Sequence, residues 1–153
     1  MLRLSREADY GLLAMMYIAE RPKGALAFRR EIASHYNIPA EFLAKVLQKL
    51  SRRGLIRSFR GTQGGYLLAR EPEEITLADL VEAVDGPMSI VDCQRDGCVC
   101  PQEDVCTVQS ALVEVQHEIR KVLGRVSLGE MRRRLKRDHE PRLIALEVAR
   151  GHR

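Results

Sequence analysis

Four cysteines lie within fourteen positions, at Cys93, Cys98, Cys100 and Cys106, and no other cysteine occurs in the 153 residues. Thiolates are the ligands that iron-sulfur clusters and many zinc sites use. In a reducing compartment, clustered cysteines are more often metal ligands or redox sensors than structural disulfides. The segment therefore predicts a thiolate site for a metal ion or a cluster.

The type of thiolate site is not decided by spacing alone. Cys-x4-Cys-x-Cys-x5-Cys matches none of the standard ferredoxin runs, and the Cys-x2-Cys pairs typical of zinc sites are absent. A metal-free thiol switch is a third interpretation. An enzyme is disfavoured because no adjacent His and Asp pair is arranged to activate a cysteine nucleophile. We expect no catalytic residues and no small-molecule substrate.

Three predicted helices and a hairpin precede the cysteines. Apolar residues recur at helical spacing after Ser5, until Arg21-Pro22 ends the first helix. A second helix is predicted over 28–36. A third has Pro39 in its first turn, where the missing N–H is harmless, and ends at Gly54. Strand-like segments at 55–59 and 66–69 flank the glycine-rich turn 60–65. The pattern predicts a mainly α fold built on a winged helix-turn-helix with a two-stranded wing.

Further helices are predicted on either side of the irregular cysteine loop. Thr76 and Asp79 form a capping box for a helix that stops at Gly86. After the loop, apolar residues recur at alternating intervals of four and three residues: Val108, Leu112, Val115, Ile119, Val122 and Val126. This is the spacing of a coiled-coil seam, and it favours a long dimerisation helix. The alternative is an amphipathic helix packed on its own domain. A last short helix is predicted from a capping box at Ser127 and Glu130 through Leu135.

The predicted domains are a winged-helix DNA-binding domain (1–86), a cysteine loop (87–107), a dimerisation helix region (108–137) and a tail (138–153). Charge follows this division. Residues 1–70 contain 13 Lys and Arg against 5 Asp and Glu, residues 71–110 contain 1 against 10, and residues 111–153 contain 11 against 6. Localised positive charge favours contact with phosphates, whereas an acidic segment is repelled by a polyanion. Double-stranded DNA is therefore the expected partner of the first segment.

Several segments resemble the winged-helix regulators typified by IscR and NsrR, the Rrf family. They are Ile38–Leu43, Gly54–Ile56 and, above all, Arg57–Gly61 running into Gly64–Leu68. The similarity extends from residue 1 to about residue 135. It implies a homodimeric bacterial transcription factor, usually a repressor. Its operator binding would be controlled by an iron-sulfur cluster that reports on iron-sulfur supply, nitric oxide or redox state.

The same resemblance implies ligands for the cluster. Members of the family that bind one use three cysteines, and the best matches here are Cys93, Cys100 and Cys106. The gap from Cys100 to Cys106 agrees with the family, but the gap after Cys93 departs from it, so Cys98 is an alternative middle ligand. IscR-like proteins place a histidine three residues after the last cysteine, where this chain has Gln109. NsrR-like proteins borrow a carboxylate from the partner's first helix, at the position of Asp9. We therefore favour a 4Fe-4S over a 2Fe-2S cluster. The alternative for Asp9 is a solvated carboxylate stabilised by the helix dipole.

The predicted DNA contacts come from the third helix, its neighbours and the wing. The polar face of the third helix comprises Glu41, Lys45, Gln48, Lys49 and Arg52. Of these, Glu41, Lys45 and Gln48 are expected to reach base edges or phosphates in the major groove, and Arg60 is expected in the adjacent minor groove. Further contacts are assigned to Arg29, Arg30, Arg52, Arg57 and Gln63.

Two other classes of function are disfavoured. The glycine-rich turn lacks the preceding strand, the following helix and the Gly-Lys-Ser/Thr ending of a nucleotide-binding loop. The apolar run from Tyr10 to Ala19 is too short to span a bilayer, and no clear cleavage site follows it. We expect a cytoplasmic protein without a membrane partner.

Overall fold

The computed structural model describes residues 3–61, 64–91, 93, 99–102 and 105–139. Within these residues the helices are α1 (Arg6–Glu20), α2 (Arg29–Tyr36), α3 (Ala40–Arg52), α4 (Leu77–Asp85), α5 (Gln109–Gly124) and α6 (Leu128–His139). Strands β1 (Ile56–Phe59) and β2 (Gly65–Leu68) form an antiparallel hairpin between α3 and α4, and a 3-10 helix follows at Pro72–Glu74. The predicted mainly α winged helix-turn-helix is confirmed.

Helix α1 lies at the centre of the fold. It begins as predicted because the Ser5 hydroxyl accepts the N–H of Ala8 at 3.0 Å, which satisfies a free donor of the first turn. Gly11 allows α1 to approach two neighbours closely. A Cβ at Gly11 would lie 3.3 Å from Val84 of α4 and 3.4 Å from Val46 of α3. The missing side chain therefore brings the start of α1, the middle of α3 and the end of α4 together.

The turn between α2 and α3 orients the second helix of the helix-turn-helix. Asn37 adopts a left-handed conformation with φ of 52°, which asparagine tolerates better than most residues. Ile38 then enters the core, and Pro39 is the N-cap of α3, one position before the first turn in which it was predicted. One stripe of α3 is buried, including Leu43, Leu47 and Leu50. The helix therefore presents its other side to solvent.

The wing has a close contact with the segment between α1 and α2. Its register pairs Ile56 with Leu68 and Phe59 with Gly65. Tyr66 and Ala27 also exchange two backbone hydrogen bonds of 2.9 and 3.0 Å. A Cβ at Gly65 would lie 2.9 Å from the Ala27 oxygen, so glycine is needed for this approach. Strand β2 is therefore held at its turn end by the segment between α1 and α2.

The last three helices have different environments. Helix α4 has the predicted capping box, with Asp79 N–H donating to Thr76 at 3.1 Å and Thr76 N–H donating to Asp79 at 3.0 Å. Helix α6 packs on α1 and the 3-10 helix, with Leu128 buried and Arg132 donating to the Ala19 oxygen at 2.9 Å. It ends at His139, four residues beyond the predicted end. No described helix combines the length and apolar character needed to cross a membrane.

Candidate DNA interface and metal centre

The predicted DNA-contacting residues lie on the surface of α2, α3 and the wing. Those within the described residues are all exposed: Arg29, Arg30, Glu41, Lys45, Gln48, Arg52, Arg57 and Arg60. Gln63 lies outside the described residues. The helical period explains the exposure on α3, because its buried residues Leu43, Val46, Leu47 and Leu50 form one stripe and leave the opposite side facing solvent.

The cations of this surface have no acidic partner within the described residues. None of Arg29, Arg30, Lys45, Arg52, Arg57 and Arg60 forms an ion pair there. Several basic residues elsewhere do form ion pairs, as Lys23 does with Glu71 at 2.9 Å. Unpaired cations concentrated on one set of elements produce the positive potential that attracts a phosphate backbone. The surface therefore has the electrostatic character that a DNA interface needs.

Two basic residues near this surface differ from the sequence interpretation. Lys49 was placed on the polar face of α3, but its side chain turns back onto the protein. It donates to the Glu7 carboxylate and, at 2.9 Å, to the Val84 backbone oxygen. Arg53 was not considered, yet it is exposed and has no ion pair among the described residues. Arg53 is the C-cap of α3, where the helical period no longer predicts which way a side chain points. The only hint in the sequence is its position next to Arg52, which is a predicted DNA contact.

A cavity of about 730 Å³ lies behind the wing, and Arg57 borders it. Within the described residues, the three other arginines in its wall are already engaged. Arg21 pairs with Glu31 at 3.5 Å. Arg70 pairs with Asp79 at 3.8 Å, and Arg132 donates to the Ala19 oxygen. Arg57 of β1 thus lines the cavity and is also exposed to solvent.

Three of the four predicted cysteine ligands lie within the described residues. Cys93, Cys100 and Cys106 are partly exposed and are free thiols. Partial burial raises the pKa of the Cys93 thiol, and the nearby thiols of Cys100 and Cys106 raise this pKa further. The described residues contain no group of three His, Cys, Asp or Glu side chains placed to hold a metal ion. The three thiols are therefore neighbours, but they do not converge on one point. Cys98 lies outside the described residues.

The cysteine segment is attached to helices at both ends. It leaves α4 at Gly86, whose φ of 89° favours glycine, and Ile90 N–H then donates to the Gln116 side chain of α5 at 3.3 Å. Three residues after Cys106, α5 begins at Gln109. Arg120 of α5 in turn forms a bidentate pair with Glu82 of α4, at 2.6 and 3.1 Å. The segment therefore lies between two helices that are tied to each other.

Two carboxylates lie in the first turn of α1, and the surroundings of Glu7 differ from those of the predicted ligand Asp9. Glu7 accepts a hydrogen bond from Lys49, so its charge is already compensated. Asp9 is exposed and has no ion pair within the described residues. Asp9 is therefore the freer of the two acidic side chains, although within one chain it does not join the cysteines in a metal-binding group.

The apolar seam of α5 is poorly covered within one chain. Val108 and Val122 are each 56% exposed and Val115 is 49% exposed, and α5 has no buried residue. An amphipathic helix packed on its own domain would bury this stripe, as α1 and α4 bury theirs. Within the described chain the seam therefore exposes Val108, Val115 and Val122, whereas Leu112, Ile119 and Val126 are half-buried.

The sequence and the fold are similar to those of known proteins. Residues 4–134 match the Rrf2 family, described as an iron-dependent transcriptional regulator. The HTH-type transcriptional regulator NsrR of Halalkalibacterium halodurans is 30% identical over 131 residues, which are 85% of this chain and 90% of that protein. The structure of CymR, the global cysteine regulator of B. subtilis, has a TM-score of 0.69 and 27% identity over 88% of this chain and 98% of CymR. T. potens IscR has a TM-score of 0.70 and 25% identity, covering 90% of this chain and 91% of that protein.

These similarities run from the start of α1 into α6, so they include α3, the wing and the cysteine segment together. The relatives are regulators of transcription. The resemblance expected from the wing segments is therefore confirmed, and the chain belongs to the Rrf2 family of transcriptional regulators.

Proposed function

We propose that this regulator is a homodimeric repressor whose operator affinity is controlled by an iron-sulfur cluster in the cysteine segment. The observation that carries the proposal is that three free and partly exposed thiols, Cys93, Cys100 and Cys106, lie in one segment attached to both α4 and α5. The iron-dependent description of the family and the similarity to NsrR and IscR support it. The names of the relatives do not agree on a signal, since CymR is called a cysteine regulator.

The donor set fits an iron-sulfur cluster in kind, because soft and partly exposed thiols are the ligands that such clusters use. Cys93, Cys106 and either Cys98 or Cys100 would provide three ligands, and Asp9 from the partner subunit would provide the fourth. When bound, the cluster supplies a group whose loss or modification changes the charge and ligation of the segment. We favour a 4Fe-4S cluster, because Gln109 stands where IscR-like proteins have a histidine ligand. Asp9, in turn, has no ion pair within the described residues and is available as a ligand.

DNA binding is assigned to the unpaired cations and the polar face of α3. Lys45, Gln48 and Glu41 project from the exposed side of α3 and would reach base edges in the major groove. Arg60 precedes the wing turn at Gly61, where it would enter the minor groove. The remaining cations would hold phosphates: Arg29, Arg30, Arg52 and Arg57. A further contact is assigned to Gln63, which lies outside the described residues. Phosphate contacts set the register, and base contacts set the specificity.

The seam of α5 is assigned to the homodimer. Val115→Glu combined with Val122→Glu is expected to convert the dimer into a monomer, because it places charges on an apolar stripe that two helices would bury. Light scattering coupled to size exclusion measures the mass. Val113→Glu is the matched control, since Val113 is also 49% exposed but lies outside the stripe. If the double variant remains a dimer, the seam is not the interface.

The proposed function is tested by comparing cofactor-loaded and cofactor-free protein on the same DNA. The probe is a duplex that the protein itself selects from a randomised library. We expect anaerobically purified protein to be coloured, to contain iron and sulfide, and to differ at least fivefold in Kd from the cofactor-free form, about the lower end of typical coupling between sites. Equal affinities would contradict the sensor, and colourless, iron-free protein would contradict the cofactor.

A metal-free thiol switch is the second candidate, and the presence of the free thiols Cys93 and Cys100 in one segment favours it. In this mechanism the two thiols join as a disulfide and pass two electrons and two protons to a peroxide. The preparation would then be colourless, and its operator affinity would respond to a reductant without any iron. A purely structural zinc site would also be colourless, but zinc analysis would be positive and mild peroxide would leave affinity unchanged while the zinc is retained.

A further inference from the structure

Lys49 lies where three helices meet. It belongs to α3, and its ammonium group donates both to the Glu7 carboxylate of α1 and to the Val84 oxygen in the last turn of α4. A cation at this place satisfies a carbonyl that has no helical partner and faces the negative end of the α4 dipole. The Lys49 side chain thereby links α3 to the start of α1 and to the end of α4.

The same three helix ends are held together by other close contacts. The Ser5 hydroxyl at the start of α1 donates to the Asp85 carboxylate at the end of α4, at 2.5 Å. Gly11 brings α1 within van der Waals distance of Val84 and Val46. Because the packing leaves little free space, a shift of the α4 end or of the α1 start must be accommodated at Lys49.

Lys49 also connects the two sites that the proposed function invokes. On one side, α4 continues through Gly86 into the segment that reaches Cys93, and Glu7 lies two residues before Asp9. On the other side, Lys45 lies one turn before Lys49 on α3 and faces solvent. The junction is therefore the point at which the elements flanking the cysteine site touch the helix assigned to the major groove.

We propose that Lys49 is the positioning residue through which the state of the cysteine site changes the placement of α3 on DNA. The inference rests on the proposed function. Lys49 contacts neither DNA nor cofactor in this assignment. It transmits a displacement, because its two acceptors lie on the helices that bear Asp9 and lead to Cys93. A partly exposed ion pair contributes little to stability, so coupling is the larger part of its role.

The test compares Lys49→Met with Lys121→Met. Both lysines pair with one glutamate and are similarly exposed, at 41% and 49%, but Lys121 contacts only its own helix. In the wild type and in Lys121→Met, the Kd ratio between cofactor-free and cofactor-loaded dimers on the selected duplex should be at least about fivefold. In Lys49→Met the ratio should approach one, with iron content retained, and Lys49→Arg should restore part of it. Glu7→Gln, which weakens the same junction from α1, provides a second variant if Lys49→Met does not fold.

A second measurement separates failure of this inference from failure of the proposed function. Coupling between binding sites is reciprocal, so DNA binding to cofactor-free wild type should change hydrogen exchange in Gly86–Val91. The change should be absent in Lys49→Met. If the cofactor-free and cofactor-loaded wild-type dimers bind DNA with equal Kd, the proposed sensor function is contradicted. The hydrogen-exchange comparison of wild type with Lys49→Met still tests the role of Lys49 in that case. If Lys49→Met keeps the wild-type ratio and exchange response, the inference is overturned.

Discussion

Replacing Cys93 or Cys106 by serine is expected to lower the iron and sulfide content of anaerobically purified protein more than tenfold. Loss of a partner that only orients a metal ligand already costs about 10- to 100-fold in metal affinity, and these substitutions remove the ligand itself. The visible absorbance of the cluster should disappear in parallel. Iron and sulfide analysis with an absorption spectrum measures the effect, and the operator affinity of each variant should equal that of cofactor-free wild type.

Matched variants of the same segment sharpen this result. Val105→Ala changes a side chain that is 75% exposed and has no donor atom, so its iron content should be that of the wild type. Cys98→Ser and Cys100→Ser identify the middle ligand, because only one of them should lose iron. Asp9→Ala should retain part of the cluster and lose it faster, since the three thiolates remain. Full iron in both Cys93→Ser and Cys106→Ser would exclude the assigned ligands.

Neutralising two phosphate contacts is expected to weaken DNA binding uniformly across sequences. The variant carries Arg30→Gln and Arg52→Gln, which lie on α2 and α3 and have no acidic partner among the described residues. At about 0.15 M salt, two lost contacts correspond to a roughly 30-fold higher Kd, and the slope of log K against log salt should fall by about 1.8. Fluorescence anisotropy at four salt concentrations, on the selected duplex and on an unrelated one, measures both quantities.

The control for this prediction is Arg125→Gln. Arg125 is also exposed, but it lies after α5, away from α2, α3 and the wing in the chain. Its substitution should leave the salt slope unchanged. A double variant that binds both duplexes with the wild-type slope would show that α2 and α3 do not contact phosphates. Loss of sequence preference at unchanged slope would instead place Arg30 and Arg52 at base edges.

Elements that depend on signals within a few residues were predictable. Ser5 caps α1 through the N–H of Ala8, three positions away, and Thr76 caps α4 through that of Asp79. The exposure of Lys45 and Gln48 follows from the helical period of their own apolar neighbours. Deviations are confined to the ends of elements, where the hairpin loses Leu55 and Ala69 and α6 gains residues up to His139. End positions depend on packing as well as on local preference.

For the cysteine segment, the residue types predicted the chemistry of the site, but the sequence did not predict how the segment is placed. The composition identified thiolate chemistry before any fold was known, because soft ligands select a narrow set of cofactors. The placement of the segment depends on how α4 and α5 hold it, through Gly86 and the hydrogen bond from Ile90 N–H to the Gln116 side chain. Glycine-rich and polar segments have no periodicity from which such a placement could be predicted.

Taken alone, the sequence determined the class of protein, the order of its helices, the wing and the exposed basic surface of α2, α3 and β1. These features arise from periodicity, caps and charge along short stretches of chain. Only the tertiary structure decided that Lys49 faces α1 and α4 instead of solvent, and that the α5 seam is incompletely covered within the described chain. Lys49 and Glu7 are 42 positions apart. A contact over that distance is set by how helices pack around Gly11, and helical periodicity does not distinguish a lysine bound to a neighbouring helix from one in solvent.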